Sequence, residues 1–335
     1  MNIGIIGAGL IGNKRANALP STCKLTAVAD LSNDRAHKLA TAFGARAESS
    51  WAKLVSASDV DCVIVATTND VIPDCAKAAL KAGKHVLIEK PGGRFPDEVR
   101  SIADVAACSR GILRVGFNHR FHPGLQGAKK LLDSGVDGPL MYIRARYGHG
   151  ARVGYEKEWR GNPKLGGGGE LLDQGVHLID LCRWVGGSFE LQYGHAQTFF
   201  WDMPVEDNGF LILRSPDRKR SAFLHASCTE WKNLFDFEIF AKNAKIQIFG
   251  LGGSYGTEEL RYYKMKPEMG PPDITVTPFP GADESWKLEF QAFLSEVDGR
   301  KTDIGRIEDA VRAIEIVFDV YRSSGYDMER AICNA

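Results

Sequence analysis

The sequence predicts an α/β protein: a doubly wound parallel sheet in the first third, followed by an α+β half with a mainly antiparallel sheet. Three observations carry this. Short runs rich in Val and Ile alternate with helical spacing up to about residue 120, and continuous apolar runs of that kind suit strands buried on both faces. After Phe121-His122-Pro123 the alternation stops, and β-like segments follow one another without helices between them. The length, 335 residues, accommodates two domains at roughly 150 residues each.

In the first half the strands are Ile3–Ile6, Leu25–Ala29, Val60–Val65, His85–Ile88 and Leu113–Val115. The helices between them are Leu10–Leu19, Asn33–Phe43, Val71–Ala82 and Pro96–Ala107. In the second half a helix over Gly124–Leu132 leads through a turn at Gly138-Pro139 to a strand at Met141–Tyr147. A Gly-rich loop precedes a helix over Glu170–Trp184. Strands are expected at Leu191–Phe200, Gly209–Arg214, Ser221–Ser227, Phe235–Phe240, Lys245–Phe249 and Leu260–Tyr263. Pro267–Pro280 reads as an ordered surface loop, and amphipathic helices at Trp286–Val297 and Ile307–Tyr321 close the chain. The domain division falls between residues 122 and 123, with the terminal helices free to pack back on the first domain.

Forty-two basic residues balance 42 acidic ones. Zero net charge argues against nucleic acid or an anionic membrane as partner, and no apolar run reaches the roughly 18 residues of a membrane span. The apolar start MNIGIIGAGLIG lacks a basic n-region, so it reads as strand, turn and helix and not as a signal peptide. Seven cysteines, Cys23, Cys62, Cys75, Cys108, Cys182, Cys228 and Cys333, are scattered and never form C-x-x-C. Reduced thiols in a cytoplasmic protein are expected, with no metal site.

Gly7, Gly9 and Gly12 form G-x-G-x-x-G directly after the first strand, with Leu10 and Ile11 opening the helix. The glycines allow a tight turn, backbone approach to a pyrophosphate and close packing, and the helix N-terminus faces the phosphates. Asp30 ends the second strand, where a carboxylate accepts a ribose 2′-hydroxyl and repels a 2′-phosphate. NAD is therefore expected over NADP, a preference that Lys14, Arg15 and Arg35 nearby would soften. Glu89-Lys90-Pro91 stands at the C-terminal end of a strand, where ligands bind in open α/β sheets. A lysine in a partly desolvated cleft loses pKa and exchanges a proton with an alcohol or carbonyl oxygen. Asp173 and His177 are spaced i,i+4 on the predicted helix, with Asp180 near the same face. A plain Asp–His helix contact explains that spacing equally well when it is taken alone.

Taken together, these segments resemble the glucose–fructose oxidoreductase, inositol 2-dehydrogenase and rhizopine-catabolism (Gfo/Idh/MocA) family. The likeness also includes Thr67-Thr68-Asn69, Gly116-Phe117-Asn118-His119-Arg120-Phe121 and the Gly-Gly-Glu segment before Asp173. It implies a Rossmann domain over residues 1–122, and a substrate-binding and oligomerisation domain over 123–335 with an open antiparallel sheet. It implies NAD(P)-dependent oxidation or reduction of sugars, cyclitols or their derivatives. By the same resemblance Lys90 takes part in proton transfer, Asp173 and His177 hold and deprotonate the substrate hydroxyl, and Thr67, Asn69 and Glu89 line the cofactor site. A homodimer or homotetramer through the C-terminal sheet is also implied. The chain departs from the family at Gly92-Gly93-Arg94, where Arg94 is either a solvated helix-start residue or a ligand contact.

Substrate contacts are expected from Asn118 and Arg120, and from Tyr147, His149, Arg152, Tyr155 and Trp159, a dense aromatic and cationic set. That set suits an anionic sugar, such as a nucleotide-linked or carboxylated one, and equally a solvated surface loop. The Gly166–Gly169 run implies close backbone approach to substrate, a hinge or a flexible linker. Alternatives to a sugar-nucleotide enzyme are a dehydrogenase of a free cyclitol or monosaccharide and a non-catalytic NAD-binding sensor.

Overall fold

The computed structural model describes residues 1–328, 331 and 332. Cys333 lies outside them; the other six cysteines are free thiols. By contact the chain separates into two compact units, residues 1–118 with 286–312, and residues 119–285 with 313–335.

The first unit contains β1 (Asn2–Ile6), α1 (Leu10–Asn17), β2 (Lys24–Ala29), α2 (Asn33–Ala42), β3 (Arg46–Glu48) and α3 (Trp51–Ser56). It continues with β4 (Cys62–Val65), α4 (Ile72–Lys81), β5 (His85–Glu89), α5 (Pro96–Ala107) and β6 (Leu113–Gly116). All six strands run parallel in the order β3-β2-β1-β4-β5-β6. Val63, Ile64, Val86 and Leu87 have no exposed surface, as the continuous apolar runs predict. The reversal of strand order between β1 and β4 is the switch point at which such sheets bind ligands. The segments after β1, β4 and β5 carry Gly7, Thr67 and Lys90.

The second unit begins with a single 3₁₀ turn, then α6 (Pro123–Asp133), β7 (Leu140–Gly148), α7 (Pro163–Gly166) and α8 (Val176–Gly186). The strands that follow are β8 (Glu190–Gln197), β9 (Asn208–Arg214), β10 (Ser221–Ser227), β11 (Leu234–Ala241), β12 (Ala244–Phe249), β13 (Glu258–Lys264) and β14 (Asp273–Phe279). They form one eight-stranded sheet in the order β14-β13-β12-β11-β7-β10-β9-β8. Every pairing is antiparallel except β7 with β10, which is parallel. α9 (Ser285–Val297) and α10 (Ile307–Ser324) end the chain.

Two expectations are corrected. Pro267–Pro280 is not a loop throughout: β14 occupies Asp273–Phe279 at the sheet edge. Pro278 is tolerated there because an edge strand need not donate on both sides. The helix expected over Glu170–Trp184 is not one α-helix. Leu171–Gly175 is a π turn, and α8 starts at Val176. No described helix is long and apolar enough to cross a membrane.

Candidate active site

In the first unit the three glycines differ in what surrounds them. Gly7 has φ +97°, and a Cβ there would stand 2.3 Å from the Ala66 carbonyl oxygen. A Cβ on Gly12 would stand 1.8 Å from the Gly7 carbonyl oxygen, so α1 packs directly on the turn. A Cβ on Gly9 would meet nothing within 4 Å. Gly9 caps α1 without a side-chain hydrogen bond, and the first turn holds no acid. The N–H groups of Leu10, Ile11 and Gly12 thus form an electropositive helix start, which suits a diphosphate.

Asp30 completes this cradle. Its Oδ2 accepts the Ala8 N–H at 2.7 Å, and Oδ1 accepts the Ser32 N–H at 2.8 Å and the Arg35 guanidinium at 2.8 Å. Burial raises its pKa, but the hydrogen bonds from Arg35, Ser32 and Ala8 outweigh burial and hold it below the ordinary carboxylate value. A carboxylate oxygen has two lone-pair sites, so Oδ2 retains acceptor capacity for a ribose hydroxyl. The residues present fit a dinucleotide.

Thr67 and Asn69 follow β4, with Asn69 buried. Glu89 ends β5, immediately before Lys90, and the Lys90–Pro91 peptide is cis. Glu89 does not simply line a cleft. Arg15, buried to 1% exposure, donates to Glu89 at 2.6 Å and to Glu289 of α9 at 2.5 Å, with its guanidinium 4.6 Å from the Trp286 ring. Burial lowers the Arg15 pKa, and the two carboxylates raise it more. A Cβ on Gly116 would lie 2.3 Å from that guanidinium, so glycine is needed beside it. Enclosed in this way, Arg15 is not available to soften a preference for NAD. Arg94 is a helix-start residue: its backbone and guanidinium both donate to Glu98, four residues on.

In the second unit, His177 is buried and stacks on His119, with ring centroids 3.8 Å apart. Tyr147 lies against His119 at 5.2 Å and Tyr255 at 5.1 Å. Asp173, on the π turn, accepts Arg160 at 2.8 Å, and Asp173 holds the Arg160 pKa up. His149 approaches Glu170 at 3.5 Å. Burial alone would lower the His149 pKa, but Glu170 reverses the sign and raises it. Burial raises the Tyr147 and Tyr155 pKa values and pushes Tyr255 up to about 12, so all three are neutral hydroxyl donors at pH 7.

Arg120 and Asp180 form a buried bidentate pair, with Nε to Oδ2 at 2.8 Å. The pair uses Nε and Nη2 of Arg120. Arg152 is exposed and bonded to Glu158 at 2.7 Å, while Trp159 stacks under Arg160 at 4.5 Å. The glycine run is neither hinge nor linker. A Cβ on Gly168 would stand 2.3 Å from the Tyr321 hydroxyl, and one on Gly169 would stand 1.9 Å from the Glu206 carbonyl. The buried Glu206 carboxylate accepts the Gly169 and Leu171 N–H groups and the Tyr321 hydroxyl. Close approach is required, but to the protein's own core. Among the described residues no cluster of His, Cys, Asp and Glu is arranged to hold a metal ion.

Residues 1–117 match the NAD-binding Rossmann-fold oxidoreductase pattern of the Gfo/Idh/MocA family, and residues 125–254 match that family's C-terminal domain. The chain belongs to the Gfo/Idh/MocA family. Inositol 2-dehydrogenase 2 of Saccharopolyspora erythraea is 33% identical over 72% of this chain and 66% of its own length. Levoglucosan dehydrogenase of Pseudarthrobacter phenanthrenivorans is 28% identical over 62% of this chain. The match spans 57% of the latter's own length. The structure of levoglucosan dehydrogenase in complex with NADH shares the fold, with a TM-score of 0.85 at 21% identity, over 97% of this chain and 98% of that one. Sequence spacing does not single out Glu206, and His119 enters only within the segment Gly116–Phe121. Glu206 is distant in sequence from the segment it caps, so no local motif announces it.

Proposed function

We propose that this chain is an NAD-dependent oxidoreductase that moves a hydride between the nicotinamide and a secondary alcohol or ketone of a sugar-type substrate. The observation that carries this reading is the family match across both halves of a chain whose sequence contains Lys90, Asp173 and His177. Relatives named for levoglucosan and inositol point to the same substrate class. When bound, the nicotinamide supplies the hydride acceptor or donor. During oxidation the substrate C–H bond breaks as hydride leaves to the nicotinamide, and the one hydroxyl proton passes to a single base, Lys90 or His177; reduction returns it. Asp173 orients the hydroxyl, and Tyr147, His149 and Tyr155 complete the substrate wall, the two tyrosines as neutral donors.

The test is turnover on levoglucosan, myo-inositol and simple glucosides, followed by NADH fluorescence. Lys90→Ala and His177→Ala should each lower kcat at least about a hundredfold with NADH affinity held within about threefold. Unchanged turnover would remove them from the chemistry.

Two further expectations belong to the same reading. A cytoplasmic location is supported by the scattered free thiols. Self-association through the eight-stranded sheet is supported by Tyr193, Ile212 and Phe223, which are exposed side by side in register on β8, β9 and β10.

A further inference from the structure

We propose that Phe200, Trp201 and Trp231 form a second sugar-ring subsite, so that the substrate is a glycoside or other two-ring saccharide. This deepens the sugar-oxidoreductase reading and rests on it.

Phe199, Phe200 and Trp231 are 59%, 54% and 73% exposed, which is uncommon for large aromatic side chains. The backbone beneath them is fixed. Asp207, fully buried, accepts the N–H groups of Phe199, Phe200 and Trp201 at 2.7–3.0 Å. The Trp201 indole N–H donates to the Cys228 carbonyl at 3.0 Å. Trp231 is held at φ +59°, a left-handed conformation costly for a bulky residue. Gly150 packs against its backbone so closely that a Cβ would fall 2.8 Å away. Asn233 then ties this turn to the Ser254 carbonyl at 2.8 Å. A strained, over-determined backbone that holds aromatic rings in water marks a place for a ligand.

The rings are continuous with the substrate wall. Trp231 meets Phe200 at 4.9 Å, Phe200 meets Trp201 at 5.1 Å, and Trp201 meets Tyr155 at 5.8 Å. Tyr155 meets His149 at 5.6 Å, and His149 reaches Glu170, three residues before Asp173. A substrate ring held at Asp173 would therefore extend along this row.

One feature favours a saccharide over a nucleotide. The Phe200–Trp231 and Phe200–Trp201 planes cross at 76° and 89°, which forms a notch for a C–H face and not a parallel slot for a flat base. Of the nearby cations, Arg160 is matched by Asp173 and Arg152 by Glu158, while Lys157 and Lys232 are exposed.

The experiment is titration of the NADH-bound protein with glucose, maltose, cellobiose and UDP, read by calorimetry and tryptophan fluorescence. At least one disaccharide should bind about tenfold more tightly than glucose. Trp231→Ala and Phe200→Ala should bring that ratio to about one, with melting temperature and light-scattering mass unchanged. The subsite is overturned if the ratio survives both substitutions, if UDP is the ligand whose binding they abolish, or if the assembly state changes. If glucose binds and neither disaccharide gains, the subsite alone fails. If no sugar binds, the sugar reading itself fails.

Discussion

Asp30 is the residue whose lone pairs are proposed to bias cofactor choice. Oδ1 is filled by Ser32 and Arg35, and Oδ2 keeps capacity beside Ala8. The carboxylate would repel a 2′-phosphate, and it also pairs with the exposed guanidinium of Arg35. Asp30→Ala should therefore lower NADH affinity and raise NADPH affinity, shifting their ratio at least about tenfold in fluorescence titrations; Asp30→Ala/Arg35→Ala should lose the NADPH gain. The residue pattern was legible in sequence because Gly7, Gly9, Gly12 and Asp30 act through local backbone geometry. Arg35 as a partner was nameable only as a neighbour, since five residues of separation do not say which way a side chain turns.

At the scale of elements, two buried carboxylate systems hold the segments that carry the proposed site residues. Arg15 links α1, the end of β5 and α9 through Glu89 and Glu289. Arg15→Met leaves two carboxylates buried without their cation and should cost about 3–5 kcal/mol in denaturant unfolding. Adding Glu289→Leu should recover part of that loss. Glu206 caps the π turn bearing Asp173, and burial pushes its pKa from 4.5 up to about 7 against the hydrogen bonds it accepts. The folded state holds this proton more tightly than the unfolded chain, so the contribution is complete below about pH 4.5 and lost as pH rises through about 7. Glu206→Gln should flatten the dependence of melting temperature on pH across that window. A variant with an unchanged slope would place the titration elsewhere. Neither system was readable in the sequence, because Glu289 and Glu206 stand 274 and 115 positions from Arg15 and Tyr321. β14 escaped for a different reason: its exposed, proline-containing segment has no apolar alternation, and it exists because β13 pairs with it.

For the whole molecule, the eight-stranded sheet presents a mixed outer row. Tyr193, Ile212 and Phe223 lead in register to Arg144, Glu238, Gln247 and Arg261, and end at Val276. Arg144 and Glu238 are ion-paired within that row. An apolar strip flanked by paired charges is suited to meeting its own copy about a twofold axis. Ile212→Lys/Phe223→Glu should reduce the mass seen by light scattering to that of one chain, with the melting transition retained. A monomeric native protein would exclude this face as an interface.

The sequence by itself determined the alternating half, the dinucleotide turn, the strand that delivers Lys90 and the family to which the chain belongs. These depend on short spacings, where backbone conformation and side-chain type are coupled within a few residues. Tertiary structure decided what each charged group is bonded to. It assigned Arg120 to Asp180, Arg160 to Asp173 and Arg15 to two glutamates, and it packed the glycine run against Glu206 and Tyr321. It also placed β7 at the centre of its sheet, parallel to β10. Partners this far apart in sequence are selected by burial: a charge or hydroxyl removed from water must find its counterpart wherever the fold brings one.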